Sequence, residues 1–131
     1  MNNEQRMVRE FHKSFGHDYR DQPDANVELG VQSLRLDLIQ EELEELNDAM
    51  LDRNIVEVAD ALADLLYVVY GTAVVYGINM EPIVQEVHRS NMSKIALDGS
   101  VEYDERGKVM KPETFEEPQL RGLLRQQGAS L

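Results

Sequence analysis

Glu41, Glu42 and Glu45 stand close together in the chain, and Glu57, Asp60 and Asp64 follow shortly after. At about 100° per helical residue, the first three share an arc of roughly 100° and the second three an arc of about 60°. Two acidic arcs on neighbouring helices can face one cleft. Hard oxygen donors without His or Cys suit Mg²⁺ or Mn²⁺ far better than Zn²⁺. Mg²⁺ held by carboxylates, with coordination positions left to water, is the usual apparatus of phosphate chemistry. A di-iron bundle would use Glu-x-x-His pairs. Here Glu10 and Glu86 each stand two residues ahead of a His, His12 and His88, and no Glu-x-x-His occurs.

The second trio interrupts an apolar series of Val56, Val58, Ala59, Leu62, Leu65 and Leu66 within Ile55 to Ile78. A helix apolar on nearly every side is expected to be buried. Unpaired carboxylates there would cost several kcal/mol to desolvate, and few Lys or Arg lie nearby, so a divalent cation is expected to meet them. Taken alone, the run Glu41 to Glu45 reads as a solvated helix face; the second trio turns it toward a metal site. Asp37, Glu44 and Asp48 read as ordinary solvent-facing acids.

The elements that must position these acids follow from periodicity and capping. Met7, Val8, Phe11 and Phe15 predict a first helix over roughly residues 3–16, closed near Gly16. A polar loop containing Pro23 follows. A second helix is expected from about Val27 to Leu51, with Leu29, Leu36, Ile39, Leu43, Leu46 and Met50 as its apolar stripe. Asn54 caps a third helix ending before Gly77, and the few residues from Asp52 to Asn54 require antiparallel packing of the second helix on the third. Asn79 caps a fourth helix with Pro82 in its first turn and Ile83, Val87 and Met92 facing inward. Residues 95–115 read as an irregular tail in which Val101–Tyr103 and Val109–Met110 form a short hairpin. A last short helix is expected over 118–127. His88 reads as a partner-bonded structural histidine, His12 and His17 as surface groups, and Phe11, Phe15, Tyr67 and Tyr70 as core, although an aromatic of the first helix could wall a nucleobase pocket. The sum is one all-α domain over 1–131, a four-helix bundle-like arrangement with an irregular C-terminal tail. Its third helix is apolar in too many directions for three neighbours, so a homodimer or higher homo-oligomer is expected.

Composition narrows the partners. The chain has 131 residues, 25 acidic against 13 Lys and Arg, and a formal charge of −12. That charge argues against electrostatic binding of nucleic acid but not against a nucleotide, because a metal inverts the local field. The absence of cysteine removes disulfides, thiolate ligands and Cys nucleophiles. The N-terminal residues lack a secretory pattern, and Leu65 to Ile78 is too short an uncharged run to span a bilayer, so a cytoplasmic protein without membrane contact is expected.

Glu41-Glu42-Leu43-Glu44-Glu45 resembles the Glu-Glu-x-x-Glu signature of the all-α nucleoside triphosphate pyrophosphohydrolases, the MazG-like superfamily. That group includes the dimeric dUTPases and the phosphoribosyl-ATP pyrophosphohydrolases. Its following Glu-x-x-Asp is matched by Glu57-Val58-Ala59-Asp60, and Asp64-Leu65-Leu66-Tyr67 is similar to its Asp-Leu-Leu-aromatic context. Glu86 to Lys94 and Gly107 to Glu113 resemble the C-terminal part of the branch near the dUTP-hydrolysing members. The likeness covers roughly residues 29 to 115. One departure stands out: if Asp64 aligns with the family Asp, Ala61 occupies the position of its Glu; either Asp60 or Glu57 replaces it, or the literal Glu57/Asp60 motif is the functional one and Asp64 is an accessory ligand.

The resemblance implies cleavage between the α- and β-phosphates of a (d)NTP, giving a monophosphate and pyrophosphate in nucleotide-pool house-cleaning. It implies a dUTP or dCTP preference and Mg²⁺, with Mn²⁺ as substitute. Glu42, Glu45, Glu57, Asp60 and Asp64 would be metal ligands, Glu41 or Glu42 the catalytic base, and Asn91, Lys94, Arg89 and Lys111 the substrate-binding groups. Two other readings stand beside it: a non-catalytic acidic bundle binding a basic partner or structural cation, and a phosphoribosyl-ATP pyrophosphohydrolase, ranked lower because of the irregular tail.

Overall fold

The computed structural model describes residues 1–131. It is all-helical: α1 Asn3–Ser14, α2 Leu29–Leu51, α3 Ile55–Tyr76, α4 Met80–Met92 and α5 Arg121–Gln126. Extensive helix–helix packing is confined to α2 on α3 and α1 on α3. The third helix is thus the spine of the molecule.

Its ends are well defined. Asn54 Oδ1 accepts from the amides of Val56 and Glu57 at 3.1 and 3.3 Å, satisfying two donors that the helix start leaves free. At the other end Gly77 adopts φ +72°, and Ile78 N donates to Ala73 O at 2.9 Å. The loop after α1 is sewn onto that end: Arg20 N donates to Val74 O, the Arg20 guanidinium to Val75 O, and Asp24 N to Tyr76 O. A guanidinium over the last carbonyls also complements the helix dipole.

Gln5, Val8 and His12 form the buried face of α1. Gln5 is fully buried and bridges the α3–α4 junction, donating to Ile78 O at 2.6 Å and accepting from Met80 N at 2.9 Å. His12 is 2 % exposed, contrary to the surface position expected; its Nδ1 bonds Asp18 O at 2.8 Å, closing the α1 turn over α3. His88 is the reverse case, lying exposed with no hydrogen-bond partner, because α4 presents that face to solvent.

Asn79 caps α4 through Glu81 N, and Ile83 is buried, as the spacing predicts. Val87 and Met92 are exposed instead of facing inward. The last turns of α4 meet the backbone of the tail, where Ser90 Oγ donates to Glu116 O and Ser93 Oγ accepts from Glu116 N. Gln127 ties α5 to Asn79 through both its amide atoms. The expected hairpin reduces to one antiparallel bridge, Tyr103 to Val109.

The largest difference from the sequence reading concerns α3 itself. Only Ala61, Gly71, Ala73, Val74 and Val75 of its residues are buried. Ile55 and Val56 are 78 % and 74 % exposed, and Leu62, Leu66 and Tyr67 are exposed too. By length and hydropathy alone this helix matches a membrane span. On α2 the residues expected as the core stripe split. Leu46 is buried and Ile39 half-buried, whereas Leu29, Leu36, Leu43 and Met50 lie open at 82, 68, 48 and 55 %. These four recur every seven residues, so they form one continuous apolar line on a face that α3 does not cover.

Gly77 is the hinge point of this arrangement. A Cβ there would lie 2.1 Å from the backbone oxygen of Gln22, in addition to the cost of a left-handed side chain. Gly77→Ala is expected to destabilise the fold by about 2 kcal/mol or more. Gly30→Ala, whose Cβ meets open space, should change stability by less than ~1 kcal/mol. Thermal denaturation of both variants checks the contrast.

Candidate metal centre

Antiparallel packing of α2 on α3 through the Asp52–Asn54 turn brings Glu42, Glu45 and Asp64 together. One carboxylate oxygen from each lies within 4.8 Å of the others, the span over which three ligands can share one cation. Asp60 and Glu41 flank the trio: Asp60 is a charged neighbour of Asp64, and Glu41 of Glu42. Glu57 is not part of the cluster and is exposed, one helical turn before Asp60.

The environment disfavours ionised acids. Burial pushes the Glu42 carboxyl above its ordinary range, and Glu45, Asp64 and Glu41 push it in the same direction. Burial likewise raises Asp64, with Asp60 and Glu45 adding to it. No Lys or Arg approaches any of the three within salt-bridge distance. Glu42 Oε2 is buried without a hydrogen-bond partner. A buried, unsatisfied acceptor beside two like charges is what a divalent cation would relieve, and the all-oxygen donor set fits Mg²⁺ or Mn²⁺. The cation argument from sequence therefore applies to Glu42 and Asp64. It does not apply to Glu57 and Asp60, because the first half of α3 stands open to water and leaves both exposed.

Of the four groups expected around a substrate, Arg89 and Asn91 lie on α4, and Lys94 and Lys111 in the segment that follows it. Arg89 is held by Glu86 at 2.7 and 2.9 Å and reaches Glu116 at 3.6 Å. Glu86 in turn accepts from Gln119 N, and Arg89 together with that amide holds its carboxyl down at about 2. Lys94 and Lys111 line a separate cleft of about 320 Å³ with Glu102 and Glu113. Asn91 is exposed on α4, which packs only slightly on the other helices. The i−3 carboxylate on the same helix, Glu86, is thus the main partner of Arg89.

Two further features depart from the main sequence reading. The end of α1 carries an aromatic group partly open to solvent: Phe11 stacks near Phe15 at 4.4 Å and meets His17 and Tyr67 edge-on, both at 5.6 Å. Phe15 is 67 % exposed, not core, and Tyr67 sits one turn from Asp64. The second is Arg35, 5 % exposed on α2. Its signal was available, since Arg35, Ile39, Glu42, Leu46 and Ala49 share the spacing of one helix face.

The family model described as phosphoribosyl-ATP pyrophosphohydrolase matches residues 8–91, from the middle of α1 almost to the end of α4. An uncharacterized protein of Acanthamoeba polyphaga mimivirus is 36 % identical over 112 residues, covering 79 % of this chain and 40 % of that protein. The chain thus spans about two fifths of the length of that relative.

A raised acid in the folded state means that ionising it costs stability. The cost is complete above the folded-state value and absent below the unfolded one, near 4.5 for Glu42. Glu42→Gln is therefore expected to raise the melting temperature of metal-free protein at pH 7 to 8 by a few degrees. The advantage should shrink as pH falls through the raised folded value toward 4.5. Parallel melts of wild type and variant across that range, in chelator, measure it.

Proposed function

The chain belongs to the phosphoribosyl-ATP pyrophosphohydrolase family, within the MazG-like superfamily, and we propose that it hydrolyses a phosphoric anhydride of a nucleotide in a Mg²⁺-dependent reaction. The observation that carries this reading is the meeting of Glu42, Glu45 and Asp64 across α2 and α3 with a buried, unpartnered oxygen among them. Those three would hold the ion, with Asp60 extending the ligand set and Glu57 able to join it only by side-chain movement. When bound, Mg²⁺ neutralises phosphate charge and acidifies water. Glu41, exposed and outside the trio, is freer than Glu42 to take a proton from the attacking water.

The substrate proposed is a (d)NTP, cut between the α- and β-phosphates to yield (d)NMP and pyrophosphate, in house-cleaning of the cytoplasmic nucleotide pool. Uracil and cytosine deoxynucleotides are favoured by the likeness of residues 86–94 and 107–113 to the dUTP-hydrolysing branch. The half-open Phe11, Phe15 and Tyr67 group offers apolar surface for a base near Asp64. The description of the matching family favours a second substrate, phosphoribosyl-ATP, which carries the same anhydride.

A second copy of this chain is proposed to cover Leu29, Leu36, Leu43 and Met50 on α2 with the open side of α3. Each apolar side chain removed from water there contributes roughly 1.5–3 kcal/mol at full burial. In such an assembly Asn91, Lys94 and Lys111 of one copy would be available to a phosphate held on the other.

Incubation with a panel of NTPs, dNTPs and phosphoribosyl-ATP plus Mg²⁺ should release pyrophosphate from at least one. Orthophosphate as sole inorganic product would refute the bond assignment, and no turnover at all would favour a non-catalytic cation-binding bundle. Glu45→Gln should lower kcat by on the order of 100-fold or more while leaving the helical circular dichroism intact. Separately, Leu36→Glu with Leu43→Glu should shift the mass in light scattering to that of one chain; a wild type already monomeric at micromolar concentration would count against the assembly.

A further inference from the structure

Arg35 lies on α2 seven residues before Glu42, about 10 Å along the axis and nearly on the same face. It is 5 % exposed, and no carboxylate lies within salt-bridge distance despite the acidic composition. Its guanidinium is spent on α3 instead. Nη2 donates to Val68 O at 2.8 Å and Nε to Thr72 Oγ1 at 3.2 Å, while Thr72 Oγ1 donates to Val68 O at 2.9 Å. Val68 is one turn beyond Asp64.

The fit is close. A Cβ on Gly71 would lie 2.3 Å from Arg35 Nη2 and 2.9 Å from His12 Nε2, so the guanidinium rests on the α3 backbone with His12 beside it. Asp18 O can only accept, so His12 Nδ1 carries the proton and neutral His12 turns a lone pair on Nε2 toward this junction. Burial and the Arg35 charge both favour that neutral form.

A buried charge without an anion is an expensive way to hold two helices together, and apolar side chains of similar volume commonly do so at lower cost. What two directed hydrogen bonds supply and apolar contact does not is register. A one-residue slip of α2 along α3 moves each side chain by about 1.5 Å and turns it by about 100°. Such a slip would part Glu42 from Asp64, whose mutual repulsion already pushes in that direction.

We infer that Arg35 is a positioning residue for the carboxylate cluster: its clamp on Val68 and Thr72 fixes the α2–α3 register at which Glu42, Glu45 and Asp64 converge. The inference rests on the metal-centre reading above for its consequence, though not for the clamp itself. It goes beyond that reading by assigning a role to a residue that touches neither ion nor substrate.

The test separates the two. The chain has no cysteine, so spin labels at Glu44→Cys and Ala63→Cys report the α2–α3 separation without ambiguity. In metal-free protein, Arg35→Met should fold with native helix content yet broaden or displace the label distance distribution. Thr72→Val, which keeps shape and removes one partner, should do so to a smaller degree and secures the test if Arg35→Met does not fold. Mn²⁺ titration should then show affinity at least about 10-fold weaker in Arg35→Met, partly restored in Arg35→Lys, with kcat falling more than KM rises. An unchanged distance distribution in folded Arg35→Met, or in Thr72→Val if that is the variant that folds, overturns the clamp. Wild-type protein that binds no Mn²⁺ overturns the metal centre, and the distance measurement still decides the clamp.

Discussion

Carboxylates brought within one ligand sphere repel one another, and in this protein the packing of α2 against α3 must hold them there. Nothing in the chain neutralises Glu42, Glu45 and Asp64. Their convergence is therefore a cost that the rest of the α2–α3 contact carries, through Leu46, Ala49 and Ala61 near the site and Arg35 below it. Ala61 is informative here. If Asp64 aligns with the family Asp, the pattern puts Glu at that position, yet the structure buries Ala61 to 3 % exposure. A small side chain there lets the helices approach without adding another acid to an already overcharged spot.

The position of α3 explains the distribution of stability in the molecule. Its C-terminal half is gripped by α1, by the loop Arg20–Asp24 and by the α3–α4 junction, all through named backbone hydrogen bonds. Its N-terminal half is largely exposed and keeps the acids. A rigid end beside a sparsely covered, charged end matches the common finding that sites are drawn from the less stable part of a fold.

Much of this was legible in the sequence, and the failures share one cause. Caps and turns are local, so Asn54, Gly77, Asn79 and Pro82 marked the ends of α3 and the start of α4 correctly. The convergence of Glu42, Glu45 and Asp64 followed from helical spacing plus a three-residue turn. What periodicity does not encode is which of two apolar faces meets the core. On α2 the line Leu29, Leu36, Leu43, Met50 is more hydrophobic than the line Arg35, Ile39, Glu42, Leu46, Ala49, yet the second packs on α3. Polarity alone does not mark the outside: Arg35, His12 and Gln5 are buried because each finds a backbone oxygen to satisfy it. Nor does an aromatic ring mark the core, since Phe15 is left exposed.

That inversion bears on how α2 comes to carry both a charged centre and an open apolar face. If the greasier face of α2 had packed on α3, the acids would have pointed to water and no cation would be needed. Turning the mixed face inward spends burial on Arg35 and Glu42 and leaves leucines outside, which disfavours the isolated chain on both counts. The acids crowd the face of α2 toward α3 and the leucines lie on the face away from it, so both costs fall on one helix. Any contact that relieved either cost by stiffening the packing of α2 on α3 would lower the ordering cost of relieving the other.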